Sequence, residues 1–390
     1  MRFWQSASRR DAFGQSTLLR RSRCRHDHRS KSFRVVAEKK RVMTTTRWLC
    51  LFCALFASMP RLAVAQPIKL RLTLQVPITN HLGANLLHFK DEVERRAKNA
   101  ISIEIFDDGQ LYIDERVVDA VAAGEIEMGV AELSQFSYRT AVVDVIQMPF
   151  LFNFQALVRA GTSAKSELRG LIDKAILEAT GVRVLWWQSY GSTVIVSKGR
   201  DATLPSRIRN QKVRVFSETM ANFARECGAT PLVLSSTKMH EGLKDSTLDM
   251  VMTGIMSIDT RQLWKVADTI TRTEHAALEF VVIVNEKTWQ SIAPRHRAIV
   301  MEAARKAEGT LREEIAGIEA RAYAFAREKG MRIYELTPDQ VAEWRACSSG
   351  VLDAYMNNPG DQIRQILEAY GMLRTEPCCS AGPGGSFTGR

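Results

Sequence analysis

From Gln66 onward the spacing of apolar residues alternates between two periods. Ile68, Leu70, Leu72 and Leu74 are separated by single residues, the pattern of a strand with one buried face. Leu82, Leu86, Phe89 and Val93 follow at steps of four, three and four, which predicts an amphipathic helix. Ile101, Ile103 and Ile105 predict a second strand, ended by an Asp108-Gly109 turn. A short helix over 117–123 stops at Gly124, and strands follow at 128–131 and 182–187. After Tyr190-Gly191 the rhythm restarts, with strands at 193–197, 212–216, 232–234, 248–252 and 280–284. A helix begins at Glu218, with Ser217 as its N-cap and Gly228 beyond its end. Strands alternating with helices over this length predict an α/β fold on a mostly parallel sheet.

The segment from Pro294 to Gly330 breaks the alternation. After its first residue it contains no proline, it is rich in Ala, Glu, Arg and Lys, and its apolar positions hold no steady heptad. A helix of that extent would be roughly 50 Å long, more than one small lobe can cover. It reads as a helix laid across two lobes.

Charge divides the chain. The formal net charge is +11, yet residues 1–42 alone carry +10 and residues 66–390 carry −1. The globular part therefore has no basic surplus with which to hold a nucleic acid. Between these regions, 43–65 reads MTTTRWLCLFCALFASMPRLAVA: a Met, the basic Arg47, an apolar run and a final Ala63-Val64-Ala65. That is the layout of a secretory signal peptide cleaved after Ala65, and the run is too short for a permanent membrane span. The sequence predicts translation from Met43, 1–42 being a basic leader outside the true product, and a periplasmic destination. Of seven cysteines, Cys24, Cys50 and Cys53 fall in these leaders. Cys227, Cys347, Cys378 and Cys379 remain, too few for a dense disulfide framework.

Catalytic signatures are absent from the sequence. It has no glycine-rich phosphate loop followed by a helix, no paired histidines at helical spacing and no Gly-x-Ser-x-Gly elbow. No enzyme activity, metal or cofactor is expected. A hydrolase or lyase would need a nucleophile–base pair that the chain does not display.

A set of ordered motifs carries the resemblance. IKLRLTLQ at 68–75, DGQLY at 108–112, AGEIEMGVAELSQF at 123–136 and PFLF at 149–152 are followed by QKVRV at 211–215, GATP at 228–231, LDMVMT at 248–253 and TEH at 273–275. In this order and spacing they resemble the solute-binding proteins of tripartite ATP-independent periplasmic (TRAP) transporters, the DctP family. The resemblance implies a two-lobed periplasmic binding protein fold with a hinge cleft and a long helix across both lobes. Lobe I is expected from 66–189 plus 279–317, lobe II from 190–278 plus 318–371, and a disordered tail from 372–390. It further implies a monomer that captures an organic acid and delivers it to TRAP membrane subunits, or serves as the input of a periplasmic sensor.

Site residues follow from the same resemblance. Arg214, in QKVRV, matches the carboxylate-binding arginine, a role that suits a guanidinium because its paired N–H donors meet both carboxylate oxygens. Glu132 matches a position that accepts ligand hydrogens, with pairing to a nearby arginine as its alternative. Gln75 closes the first strand, and Phe216 lies two residues beyond Arg214 on the same strand face. Trp187 and Trp264 match aromatic positions near the cleft, with packing inside a lobe the equal alternative. The chain departs from its relatives at Thr193, where many organic-acid binders carry a second arginine, and at Thr253, Ser236 and Lys238. With one guanidinium lost and Met250, Met252 and Phe216 adding apolar surface, the expected ligand is a monocarboxylate with an apolar or aromatic body. A C4-dicarboxylate, with Lys238 as second partner, is the rival.

Overall fold

The computed structural model describes residues 67–379 apart from Asn99 and Pro359. The basic leader, the predicted signal peptide and residues 380–390 lie outside them. Ten strands form among the described residues: β1 (Ile68–Thr73), β2 (Ile101–Phe106), β3 (Met128–Glu132), β4 (Val182–Ser197), β5 (Lys212–Val215), β6 (Thr230–Val233), β7 (Met250–Gly254), β8 (Thr269–Arg272), β9 (Ala277–Asn285) and β10 (Arg332–Glu335). One lobe is built on the order β2-β1-β3-β9-β4 and the other on β4-β7-β5-β6, with β8 and β10 extending the far side of β4.

β4 belongs to both lobes. Residues 182–192 pair with β9, and residues 193–197 pair with β7 and β8. The strand restart expected at Tyr190-Gly191 is thus one continuous strand with a local irregularity. The register shifts between Ser189 and Gly191, and Gly191 takes φ +86°, a left-handed conformation open to glycine at no steric cost. A Cβ there would sit 2.3 Å from Glu319 Oε1. The Ser192 amide donates instead to that carboxylate at 3.0 Å.

The sheet is mixed rather than mostly parallel. β1–β2, β1–β3, β5–β6, β5–β7 and β8–β10 are parallel, whereas every pair involving β9, and β4 with β7 or β8, is antiparallel. The antiparallel pairs belong to the strands that carry the chain between lobes. Periodicity reports burial and says nothing about strand direction.

The helix Pro294–Glu328 is continuous over 35 residues, with Pro294 in its first turn, where a missing N–H costs nothing. Its buried stripe runs through Val300, Ala304, Ala307, Leu311, Ile315, Tyr323 and Ala326. The first half packs on helix His81–Ala97 of lobe I, where Asn85 Nδ2 donates to the Ala307 carbonyl at 2.7 Å. Towards its end, Phe325 meets Trp264 edge-on at 6.5 Å, and the Arg272 guanidinium lies over Tyr323 at 5.1 Å. Trp264 and Arg272 both belong to lobe II.

Two boundaries differ from expectation. Helix Ser349–Met356 packs on Glu218–Glu226 in lobe II, but the last helix, Asp361–Thr375, returns to lobe I. Its apolar stripe of Ile363, Ile366, Ala369, Tyr370 and Leu373 fits against helices Gln155–Gly161 and Glu167–Thr180, and Tyr370 donates to the Leu151 carbonyl at 3.0 Å. Residues 372–379 are therefore no loose tail: Leu373 and Cys379 are both buried. A disulfide joins Cys227 to Cys347 across 120 residues, fastening helix Pro338–Cys347 to lobe II. Such a bridge belongs to an oxidising compartment.

Candidate functional site

Between the lobes lies a cavity of about 190 Å³, bordered by the ends of β3, β5 and β7 and by the loops that follow them. Its polar groups come from the C-terminal ends of strands: Glu132 is the last residue of β3, and Arg214 and Thr253 are next to last on β5 and β7. Arg214 comes from β5 of lobe II and Glu132 from β3 of lobe I, and Tyr190, Leu278 and Phe280 from the crossover strands form its apolar wall.

Arg214 is only 4% exposed. Its Nε donates to the Leu234 carbonyl at 2.8 Å and its Nη1 to the Met252 carbonyl at 2.9 Å. These two bonds fix the guanidinium plane and leave three of the five N–H donors an arginine carries. Among the described residues it has no carboxylate partner within ion-pair distance. Burial lowers its pKa to about 10, with Asp114, Glu115 and Glu132 pulling the other way. It remains a cation at neutral pH, held rigidly and lacking a counter-ion.

Glu132 does not pair with an arginine. It accepts from the Ser134 amide at 3.0 Å, from the Ser134 hydroxyl and from Gln147 Nε2. Burial pushes its carboxyl up to about 8, against the pull of the Ser134 bonds and with Asp114 and Asp144 adding to the rise. A carboxyl whose folded pKa lies above its ordinary 4.5 holds its proton more tightly when folded. Its contribution to stability is therefore full below about 4.5 and is lost as pH rises towards 8. Urea unfolding of the parent should show stability falling across that window, and Glu132→Gln should flatten the slope. An unchanged slope in the variant would remove Glu132 as its source.

The other predicted residues divide. Phe216, Thr253 and Ser236 line the cavity with Arg214 and Glu132. Thr253 Oγ1 lies 2.7 Å from Ser257 Oγ. Thr193 is elsewhere: its hydroxyl donates to the Ala276 carbonyl at 3.1 Å and accepts from the Ala276 amide at 3.0 Å, tying β4 to the start of β9. Trp187 packs inside lobe I, donating to Asp173 Oδ1 at 2.8 Å under the Arg169 guanidinium. Trp264 packs against the long helix, with Lys265 and Lys329 over its ring. Gln75 is buried and does not border the cavity, both its amide atoms lacking a hydrogen-bond partner. Lys238 does not border the cavity.

Sequence reasoning missed Arg261, Tyr190 and Gln147. Arg261 enters the cavity from the loop after helix Ser257–Thr260. Gln147 links the lobes, donating to Glu132 while accepting from Ser217 Oγ at 3.0 Å. Tyr190 OH lies 3.4 Å from Ser257 Oγ. The one available signal was Tyr190 beside the Gly191 break.

Two lobes around a cleft that sets a buried guanidinium against an apolar wall, crossed by shared strands and a long helix, define a solute receptor that works by binding. The chain belongs to the family described as bacterial extracellular solute-binding protein, family 7, DctP, whose model matches residues 75–358. The family comprises the substrate-binding receptors of TRAP transporters, so the protein is a binding protein and not an enzyme. It is 24% identical over 315 residues to the C4-dicarboxylate-binding periplasmic protein DctP of Rhodobacter capsulatus, covering 79% of this chain and 92% of that one. It is 22% identical over 259 residues to the 2,3-diketo-L-gulonate-binding periplasmic protein YiaO of Escherichia coli, covering 65% and 76%. Among solved structures, DctP7 of Bordetella pertussis, an extracytoplasmic solute receptor binding pyroglutamic acid, superimposes with a TM-score of 0.73 at 19% identity, covering 77% and 99%. A TRAP solute-binding protein of Sulfurospirillum deleyianum with bound succinate gives 0.71 at 20%, again covering 77% and 99%.

Proposed function

We propose that this protein, exported to the periplasm and acting as a monomer, closes its lobes around a small acid bearing one carboxylate and presents it to the membrane subunits of a TRAP importer. The observation that carries this reading is Arg214, a buried guanidinium with free donors and no counter-ion, facing a cavity between two lobes. A ligand carboxylate supplies the missing charge, and contacts from both lobes at once stabilise the closed form.

The balance of charge supports a single carboxylate. The lining carries Asp114, Glu115 and Glu218 against Arg214 and Arg261, while buried Glu132, pushed up to about 8, mostly keeps its proton at neutral pH. Arg261 is already engaged with Asp108 at 2.7 Å, so a second ligand carboxylate would meet no free cation. Phe216, Phe280, Tyr190 and Leu278 favour an apolar body, and the small volume favours a compact one. The dicarboxylate relatives favour the rival, which would need a second cationic partner.

Thermal shift against phenylacetate, L-pyroglutamate, D-glucuronate and succinate tests the reading, because a ligand that binds only the folded form raises apparent stability by mass action. One of the monocarboxylates is expected to give the largest rise. A larger rise with succinate would replace the single-carboxylate reading with the dicarboxylate one, and no rise with any of them would count against acid capture itself.

A further inference from the structure

We infer that Arg261 is the latch of the cleft, a positioning residue that holds the two lobes together over a bound solute and sets how long the solute stays. This rests on the capture reading for its purpose and on separate contacts for its geometry.

Arg261 belongs to lobe II, at the end of helix Ser257–Thr260, and its carbonyl lies 3.1 Å from His240 Nδ1 of the same lobe. Its guanidinium reaches the other lobe. Nη1 donates to Asp108 Oδ1 at 2.7 Å, and Nη2 donates to the Gln75 carbonyl at 2.6 Å and to Ser236 Oγ at 3.1 Å. The acceptors are themselves fixed. Asp108 sits in a left-handed turn conformation at φ +50°, its amide donates to the Val76 carbonyl at 3.0 Å, and the next amide, of Gly109, donates to the Leu74 carbonyl at 3.0 Å. The end of β1 and the turn after β2 thus form one rigid catch, and the Asp108-Gly109 pair in DGQLY acquires a physical role.

A planar fork bonded at once to a carboxylate and a carbonyl of lobe I, and steadied by the Ser236 hydroxyl of its own lobe, favours one relative placement of the lobes. The guanidinium side chain is only 9% exposed while Asp108 is half exposed, so solvent screens the pair from the Asp108 side only. Ser235, which donates to Asp114 Oδ2, and Ser217, on Gln147, make neighbouring lobe-to-lobe bonds. Neither of these brings a cation. Of these three side-chain ties Arg261 alone brings a cation, and it operates without touching the acid's carboxylate, which Arg214 serves.

A latch acts on release. For whichever acid of the thermal-shift panel binds best, stopped-flow kinetics of Arg261→Ala should show dissociation about 10- to 100-fold faster, with association within about threefold of the parent. Arg261→Lys should recover only part, since one ammonium cannot span the three acceptors. Asp108→Asn should weaken retention less and add little in the Arg261→Ala background, because both act on one bond. Circular dichroism confirms folding of each variant. Dissociation at the parental rate in a folded Arg261→Ala, or a loss confined to association, overturns the latch. Should no acid of the panel bind, the capture reading fails while the latch is still decided by small-angle scattering of the full chain without added acid. Arg261→Ala is then expected to have the larger radius of gyration, and superimposable profiles overturn the proposal.

Discussion

Arg214→Ala is expected to abolish detectable binding of an acid that the parent holds at micromolar affinity. Removing the guanidinium leaves the ligand carboxylate buried beside Glu132, Asp114 and Glu115, with Arg261, already bonded to Asp108 and the Gln75 carbonyl, the one cation left in the lining. Breaking a buried charge pair in this way costs about 3–5 kcal/mol, or about two to four decades in affinity. Arg214→Lys should recover little. The lysine keeps the charge but loses both backbone anchors, on Leu234 and Met252, that aim the fork. Thr193→Ala is the contrasting control: its hydroxyl serves the Ala276 backbone, so the change should appear in the unfolding midpoint and leave affinity nearly untouched. Titration calorimetry of the three variants, with circular dichroism on each, gives the measurement. Parental affinity in Arg214→Ala would put the carboxylate anchor elsewhere.

The second large effect is on stability. Arg312 of the long helix donates to Glu308 Oε1 at 3.0 Å and to the Thr162 carbonyl at 2.8 Å, and lies 3.7 Å from Glu279 Oε2. Glu279 lies on crossover strand β9 and is almost fully buried; burial pushes its carboxyl up, and Arg312 chiefly opposes this. Arg169 contacts the same Glu308 from helix Glu167–Thr180 and Asp173 Oδ2 at 3.4 Å. Arg312→Met should therefore lower the unfolding free energy by about 3–5 kcal/mol, the cost of stranding a buried carboxylate. Adding Glu279→Gln should return part of that loss, since the amide needs no cation. Urea denaturation at neutral pH measures both, and a loss under about 1 kcal/mol in Arg312→Met would mean that the cluster is not what fastens the helix.

Much of this arrangement was legible in the chain, and the division has a physical basis. Strand and helix positions follow from local period, so β1, β2, helix His81–Ala97 and the long helix fall close to their predicted limits. Short strands with weak alternation, β8 and β10, gave no such signal. Arg214 was accessible because its neighbours on β5 form a recognisable motif. Arg261 was not, because its importance lies in reaching Asp108 across 153 residues, and no local pattern encodes that meeting. The Cys227–Cys347 bridge and the return of the last helix to lobe I were hidden for the same reason. Thr193 and Trp187 show the limit of a motif, Trp187 taking the second of its two readings by packing within lobe I. Alignment to a motif places a residue on a strand, but the local packing decides which way its polar atom is satisfied.

The long helix has a mechanical consequence. Its first half is fastened to lobe I through Arg169, Glu308 and Arg312, and its last turns are fastened to lobe II at Trp264 and Arg272. The lobes cannot part without either flexing this rod or dragging one of its ends across its seat. An α-helix curves gently at little cost and kinks sharply only where its ladder of hydrogen bonds is interrupted. Gly317 lies between the two anchorages. Any opening of the lobes must therefore be absorbed by a gentle bend of the helix between its two anchorages or by sliding at one of them.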